Sequence, residues 1–235
     1  MIWSTQAFFC AVGRWALGAV ILASPVSTAS GLMITTSGTS GGNPGGQPLY
    51  VVSDLVEGDA FNLEWGGVSG LSVSGMVFID SLTDTDADIR VMLDNQSTPI
   101  SGIDPRVSSF GFAADDFSSL DTATTGGTYL DNGDTPNPSI PGFIIDVCAA
   151  AGTNCAGGGN AGIPAGDQDE FTLQISGNFL SSLTLRDFGL KVQGGPSGNS
   201  FELSGVASEK VPEPASLVLV LLGAGLVGFL RGQRA

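Results

Sequence analysis

Between residues 31 and 210 the apolar side chains recur at every second position, and no long stretch repeats at the helical period. Phe61, Leu63 and Trp65 alternate with Asn62 and Glu64. Leu71 and Val73 alternate with serines, and Val77 and Ile79 continue the run. Ile89, Val91 and Leu93 alternate with Arg90, Met92 and Asp94, and Phe171, Leu173 and Ile175 with Thr172, Gln174 and Ser176. Leu183 and Leu185, then Phe188, Leu190 and Val192, then Phe201 and Leu203, repeat the pattern. In an extended chain successive side chains point to opposite faces, so each segment hides one face and wets the other. Clusters of Asp, Asn, Gly, Ser and Pro separate the segments, as turns require. The pattern predicts an all-β body, an antiparallel β-sandwich of jelly-roll-like or immunoglobulin-like kind. Ser37 to Gln47, rich in glycine and serine, reads as a flexible loop or linker.

The two ends read differently. Met1 to Arg14 holds one basic side chain and no acid, and the apolar run Trp15 to Ala23 follows before Pro25. Ser27 and Ala29 put small residues at the −3 and −1 positions before Ser30, which predicts a signal peptide, a signal helix over residues 1–29, cleaved between Ala29 and Ser30. Nine apolar residues are too few to span a hydrocarbon core of about 30 Å. At the other end, Val211-Pro212-Glu213-Pro214 precedes Ala215 to Leu230, sixteen residues without a charge, and Arg231 and Arg234 follow. A helix of that length covers about 24 Å, enough to span with snorkelling arginines or local thinning. The expected layout is a body over residues 30–210 and a transmembrane helix within 211–235. Arg231 and Arg234 would form a cytoplasmic tip, and the inner membrane would hold the chain through this helix.

Charge excludes several functions. The chain has 23 acidic and 8 basic residues and no histidine, for a net charge of −15. Such a chain has no basic face to release phosphate counterions, so nucleic acid is not its partner. Without histidine there is no Ser-His-Asp or Cys-His catalysis and no histidine-ligated metal. Cys148 and Cys155 are the only cysteines after residue 29. In an exported protein a local disulfide is the expectation, stabilising by about 2–3 kcal/mol through loop closure.

The Val-Pro-Glu-Pro motif, the apolar helix and the short arginine-containing tip, in that order, resemble the PEP-CTERM sorting signal. The resemblance covers Val211 to Ala235. It implies that Pro212, Glu213 and Pro214 are the recognition motif, that the partner is exosortase, a membrane protease-transpeptidase, and that the precursor is membrane-anchored before reaching the cell surface or extracellular matrix. Ser108-Ser109-Phe110-Gly111-Phe112, the spaced Cys148 and Cys155, the glycines Gly157-Gly158-Gly159 and the segment Leu190-Lys191-Val192 are similar to the cistern subgroup of such proteins. That similarity implies an extracellular body and no particular chemistry.

Within the body, Asp84, Asp86 and Asp88 alternate like the start of a calcium loop. Ile89 stands where that loop needs glycine and Asn95 where it needs glutamate, so a solvated acidic turn is the favoured reading. Asp131 and Asp134 flank Asn132-Gly133 in a second acidic turn, and Asp167, Asp169 and Glu170 form a third cluster before a strand. Calcium is the one cofactor these turns could hold, weakly. Paired carboxylates could cleave glycosides, but 22 acids in the body offer pairs everywhere. Trp65 lies on the apolar side of its strand and reads as core, and Lys191 alternates outward between Leu190 and Val192. The expectation is a non-enzymatic surface or exopolysaccharide-matrix protein with a structural or interaction role. A calcium-dependent carbohydrate-binding adhesin is the alternative and a carboxylate glycosidase the third.

Overall fold

A computed structural model describes residues 31–42, 45–99, 103–121, 125–134, 139–156, 161–194 and 199–209. The expected signal peptide with its Ala29–Ser30 cleavage point, the glycines 157–159, the motif Pro212, Glu213 and Pro214, the apolar tail and the tip arginines Arg231 and Arg234 lie outside the described residues.

Thirteen strands and no helix make up the described residues. They are β1 (Met33–Thr39), β2 (Pro48–Leu55), β3 (Ala60–Trp65), β4 (Val73–Leu82), β5 (Asp86–Asn95), β6 (Arg106–Ala114), β7 (Phe117–Leu120), β8 (Asn132–Asp134), β9 (Val147–Ala150), β10 (Gln168–Gly177), β11 (Leu183–Gln193), β12 (Phe201–Ser204) and β13 (Val206–Glu209). They form two antiparallel sheets. The first runs β1-β2-β11-β6-β9-β8, with β12 also paired to β11; the second runs β13-β3-β4-β5-β10-β7. In the first sheet β2 pairs with Leu183 to Arg186 and β12 with Gly189 to Val192, so they divide one side of β11 between them. The chain changes sheet repeatedly. At Asp115-Asp116, for instance, it passes from β6 to β7, with Asp116 at a φ of 58°.

One hydrophobic core lies between the sheets. The predicted inward residues Phe61, Leu63, Trp65, Ile89, Val91, Leu93, Phe171, Leu173 and Ile175 are all buried in it. Aromatic rings lock one sheet to the other: Phe61 lies 5.5 Å from Phe188, Trp65 5.8 Å from Phe110 edge-on, and Phe171 6.1 Å from Phe110. Trp65 is core, as its strand parity requires.

The first sheet departs from simple alternation. Strands β6 and β9 are buried on both faces, because a second apolar layer covers the outside. Ile140, Phe143 and Ile145 fold over that outer face together with Cys148, Ala150 and Cys155. Glycines make the close approach possible. A Cβ on Gly189 would stand 2.9 Å from the Phe143 ring, and one on Gly111 2.7 Å from Ile145. Gly142, at a φ of 84°, lies against Gly41 and Gly42 and accepts a bond from the Gly41 N–H at 3.0 Å.

Two expectations need correction here. Ser37 to Gln47 is not a free linker: β1 extends through Thr39, and the Ser40 N–H donates to the Gln47 carbonyl at 2.7 Å, closing a hairpin. Lys191 is not solvated. It does point to the outer face of the first sheet, but that face is covered, and the residue is 8% exposed.

Candidate functional site

The outer face of the second sheet stays open, and its middle is concave. A groove of about 510 Å³ crosses β3, β4, β5 and β10. Gly75 forms part of its floor, where a Cβ would meet Leu93 at 2.8 Å and Trp65 at 3.0 Å. Met76 and Met92, opposite each other in the β4–β5 ladder, give it an apolar lining. Glu64, Asp94 and Glu170 supply carboxylates, and Asn62, Ser74, Thr128 and Gln168 supply neutral polar groups. The strand parity that buries Leu63 and Leu93 places Glu64 and Asp94 on this face. Gln96 ties the rim by donating to Asp94 at 2.8 Å and to Ser74 at 3.2 Å. Beyond the groove, Arg90 makes two bonds to Asp80, at 2.7 and 3.0 Å, lies 4.0 Å over the Phe78 ring and reaches Glu170 at 3.7 Å. The Asp80 hydrogen bond raises the guanidinium's already high pKa, so Arg90 stays charged.

One wall of the groove depends on Asp169, which the sequence suggested only as part of a loop cluster. Asp169 sits in β10 at the inward parity of Phe171 and is 5% exposed. Its carboxylate accepts from the N–H groups of Thr128 at 2.8 Å, Tyr129 at 3.0 Å and Leu130 at 2.8 Å. Three successive amides on one carboxylate satisfy a buried charge and fix the 125–131 loop that carries Thr128. Gly127 is needed beside it, since a Cβ there would lie 2.9 Å from the carboxylate. Tyr129 then donates to Asp167 at 2.7 Å, and that bond raises the phenol's pKa. Asn95 ends the facing inward row of β5 in a similar way. It donates to the carbonyls of Pro105 and Ile163, both at 2.8 Å. The usable signal for both residues was parity: a polar side chain in register with a buried row.

The candidate calcium residues do not gather at one point. Asp84 accepts from Ser181 at 3.0 Å, Asp88 from Ser81 at 2.9 Å, and Asp86 from Thr85 at 2.6 Å. Asp86 and Asp121 share the Ser176 hydroxyl, at 2.9 and 2.8 Å. The Thr85 hydroxyl, and then Ser176, lower the Asp86 pKa. Asp131 accepts from Asn132 at 2.7 Å, and Asp134 pairs through its backbone with Cys148 in β9. Among the described residues no three acidic or cysteine side chains are grouped to hold a metal ion.

On the covered side, Cys148 and Cys155 are joined in a disulfide, with Cα atoms 6.4 Å apart. The chain just past Cys155 reaches back over Lys191, whose ammonium donates to the Ala156 carbonyl and faces Glu202 at 3.7 Å. Ser109 donates to the Cys155 carbonyl at 2.9 Å and Ser200 to Glu202 at 3.0 Å.

The last described strand is β13, at one edge of the open sheet, ending at Glu209. The next residues are Lys210, Val211 and then Pro212-Glu213-Pro214. The family model of the PEP-CTERM protein-sorting motif matches residues 210–235. The chain carries a PEP-CTERM sorting motif. A PEP-CTERM motif implies recognition by exosortase and a membrane-anchored precursor exported to the cell surface. Pro212, Glu213, Pro214, Arg231 and Arg234 all fall inside the match. The PEP-CTERM match covers the tail and leaves the body, and with it the similarity to the cistern subgroup, unsupported. No curated protein and no solved structure matches the chain.

Proposed function

We propose that this is a non-catalytic protein of the cell surface or exopolysaccharide matrix, a β-sandwich body delivered there by exosortase. The observation that carries the reading is the PEP-CTERM motif beginning at the residue after β13. Two residues, Lys210 and Val211, separate Glu209 from Pro212, at most about 11 Å of extended chain, so the body stands next to the processing site. Pro212 and Pro214 resist helix and favour an extended backbone there. The open groove, with methionines below and carboxylates, amides and hydroxyls around it, supports an interaction role for the second sheet. It suits a polyhydroxylated chain, with the methionines as an apolar bed and the carboxylates, amides and hydroxyls as hydrogen-bond partners.

The test is a triple change of Pro212, Glu213 and Pro214 to alanine, in cells with an active exosortase. The parent loses its tail and moves to the surface or matrix. The variant accumulates as an unprocessed, membrane-held precursor. A parent that keeps Ala235 under these conditions defeats the sorting reading.

A calcium-dependent carbohydrate adhesin is the second reading, and one observation favours it: Asp86 and Asp121, from different segments, converge on the single Ser176 hydroxyl. Calorimetric titration with calcium separates the two readings. Saturable heat that disappears in Asp121→Asn supports the adhesin, and no saturable heat supports the plain matrix protein.

A further inference from the structure

We propose that the open edge of β1 is a self-association edge, where a second copy of the chain adds its own β1 antiparallel and joins the two seven-stranded sheets. From Gly31 to Ser53 the sequence has no charged residue, and Asp54 is the first acid after it. This is the longest charge-free stretch in a body that holds 22 acids, and it folds as the β1–β2 hairpin. Two copies therefore repel over most of their surfaces but not here.

β1 is also the terminal strand of its sheet, and among the described residues nothing pairs with its outer side. Strand edges offer unpaired N–H and C=O groups to any other strand, and proteins commonly blunt them with charge, proline or short length. β1 has seven residues, Met33 to Thr39, with neither charge nor proline, and a single irregularity between Thr36 and Gly38. Its three threonines favour the extended state. Yet the strand gains little from its own core. Thr35 to Thr39 are exposed, Met33 is 54% exposed, and only Ile34 packs partly against the core. Ordering a residue costs about 1–2 kcal/mol of backbone entropy, so a strand that buries so little is poorly supported from within. A partner strand supplies the missing hydrogen bonds and covers Met33.

A two-fold axis makes the contact self-complementary: residue i of one copy meets residue j of the other and j meets i, and with the axis at the middle of β1, Thr35 and Thr36 meet their own images or near neighbours. One strand pair buries a small area, and the association is accordingly weak and concentration-dependent. The inference goes beyond the sorting reading and does not rest on it.

The experiment compares the full chain in neutral detergent with a Thr35→Glu/Thr36→Glu variant by sedimentation across the micromolar to millimolar range. Both side chains are exposed, so the two proteins should melt together. The parent is expected to form a dimer whose dissociation constant rises at least tenfold in the variant. A second measurement uses Thr35→Cys, which should give a disulfide-linked dimer on a non-reducing gel, while Gln174→Cys on the open face should not. A parent that stays monomeric throughout, a dimer indifferent to the two glutamates, or cross-linking equally efficient through Gln174→Cys would each overturn the proposal.

Discussion

The indole N–H of Trp65 donates to the main-chain carbonyl of Phe188 at 3.3 Å, from one sheet to the other. The same carbonyl accepts from the Gly205 N–H at 2.8 Å. It is available because β11 slips register against β6 between Arg186 and Gly189, where Asp187 takes a φ of 60°. Trp65→Phe removes one donor and leaves a small void, which should cost about 1–3 kcal/mol. Gly205→Ala would push a methyl to 2.9 Å from the indole, a clash worth about 1–3 kcal/mol. Urea unfolding measures both. Because the residues touch, the double variant should lose less than the two single losses combined. Parent-like midpoints for both single variants would remove this tie from the account of how the sheets are held.

Asp169→Asn keeps the shape but replaces a charged acceptor of three amide bonds with a neutral one. The expected loss is about 2 kcal/mol, by the scale of hydrogen bonds to charged groups. Amide hydrogen exchange should speed at Thr128, Tyr129 and Leu130 before it does in β10. Unchanged protection at those three amides would show that the loop is held by something else.

Lys191 and Glu202 form a covered ion pair, 8% and 7% exposed. Lys191→Met strands the carboxylate and should destabilise by about 3–5 kcal/mol. Lys191→Met with Glu202→Leu should recover most of that loss, since a buried pair is often no better than an apolar one. Thermal melts of the parent, single and double variants decide it. A double variant as unstable as the single one would mean that the pair is needed for more than mutual neutralisation.

Burial raises the Asp187 carboxyl pKa above its ordinary value, against the opposing pull of Arg186 and Ser37. An acid harder to ionise in the folded chain than in the unfolded one adds stability while protonated. That contribution is complete below the unfolded pKa and is lost as pH rises through the folded value. Asp187→Asn removes the titration, and asparagine tolerates a φ of 60° at least as well. Arg186 would keep its 2.9 Å contact with Asp115. The variant should therefore melt above the parent at neutral pH, and the gap should shrink near pH 3, below the ordinary aspartate value of about 3.9. A gap of the same size at both pH values would assign the effect to backbone geometry.

The central strands β3, β4, β5 and β10 of the second sheet were legible in the sequence, as were β11 and β12 of the first, while β6 and β9 were not, for a physical reason. One face of the second sheet is wet, so Phe61, Leu63 and Trp65, or Ile89, Val91 and Leu93, stand out against polar neighbours. Strands β6 and β9 are covered on both sides, so Phe110-Gly111-Phe112 and Val147-Cys148-Ala149-Ala150 show no such contrast. Their small residues mark the close approach of the covering layer, a relation between distant segments that no local period records. Parity marks Asp169 and Asn95 as inward residues but does not reveal their roles, for a related reason. Each is a polar residue at an inward position, where its role is set by amides or carbonyls supplied from elsewhere in the chain. The candidate groove was half-visible: parity places Glu64 and Asp94 outward, but only the pairing of β4 with β5 brings Met76 beside Met92.

The layer of Ile140, Phe143 and Ile145 over Gly111 and Gly189 gives the body unlike sides. On one broad side β6 and β9 are covered by the protein's own chain, and what shows there is covering loop, with the ladder beneath it out of reach. The other remains bare sheet, and the tail departs from an edge of that same sheet. A crowd of such bodies held at a membrane would thus present two kinds of flank to one another, bare ladder on one and folded loop on the other.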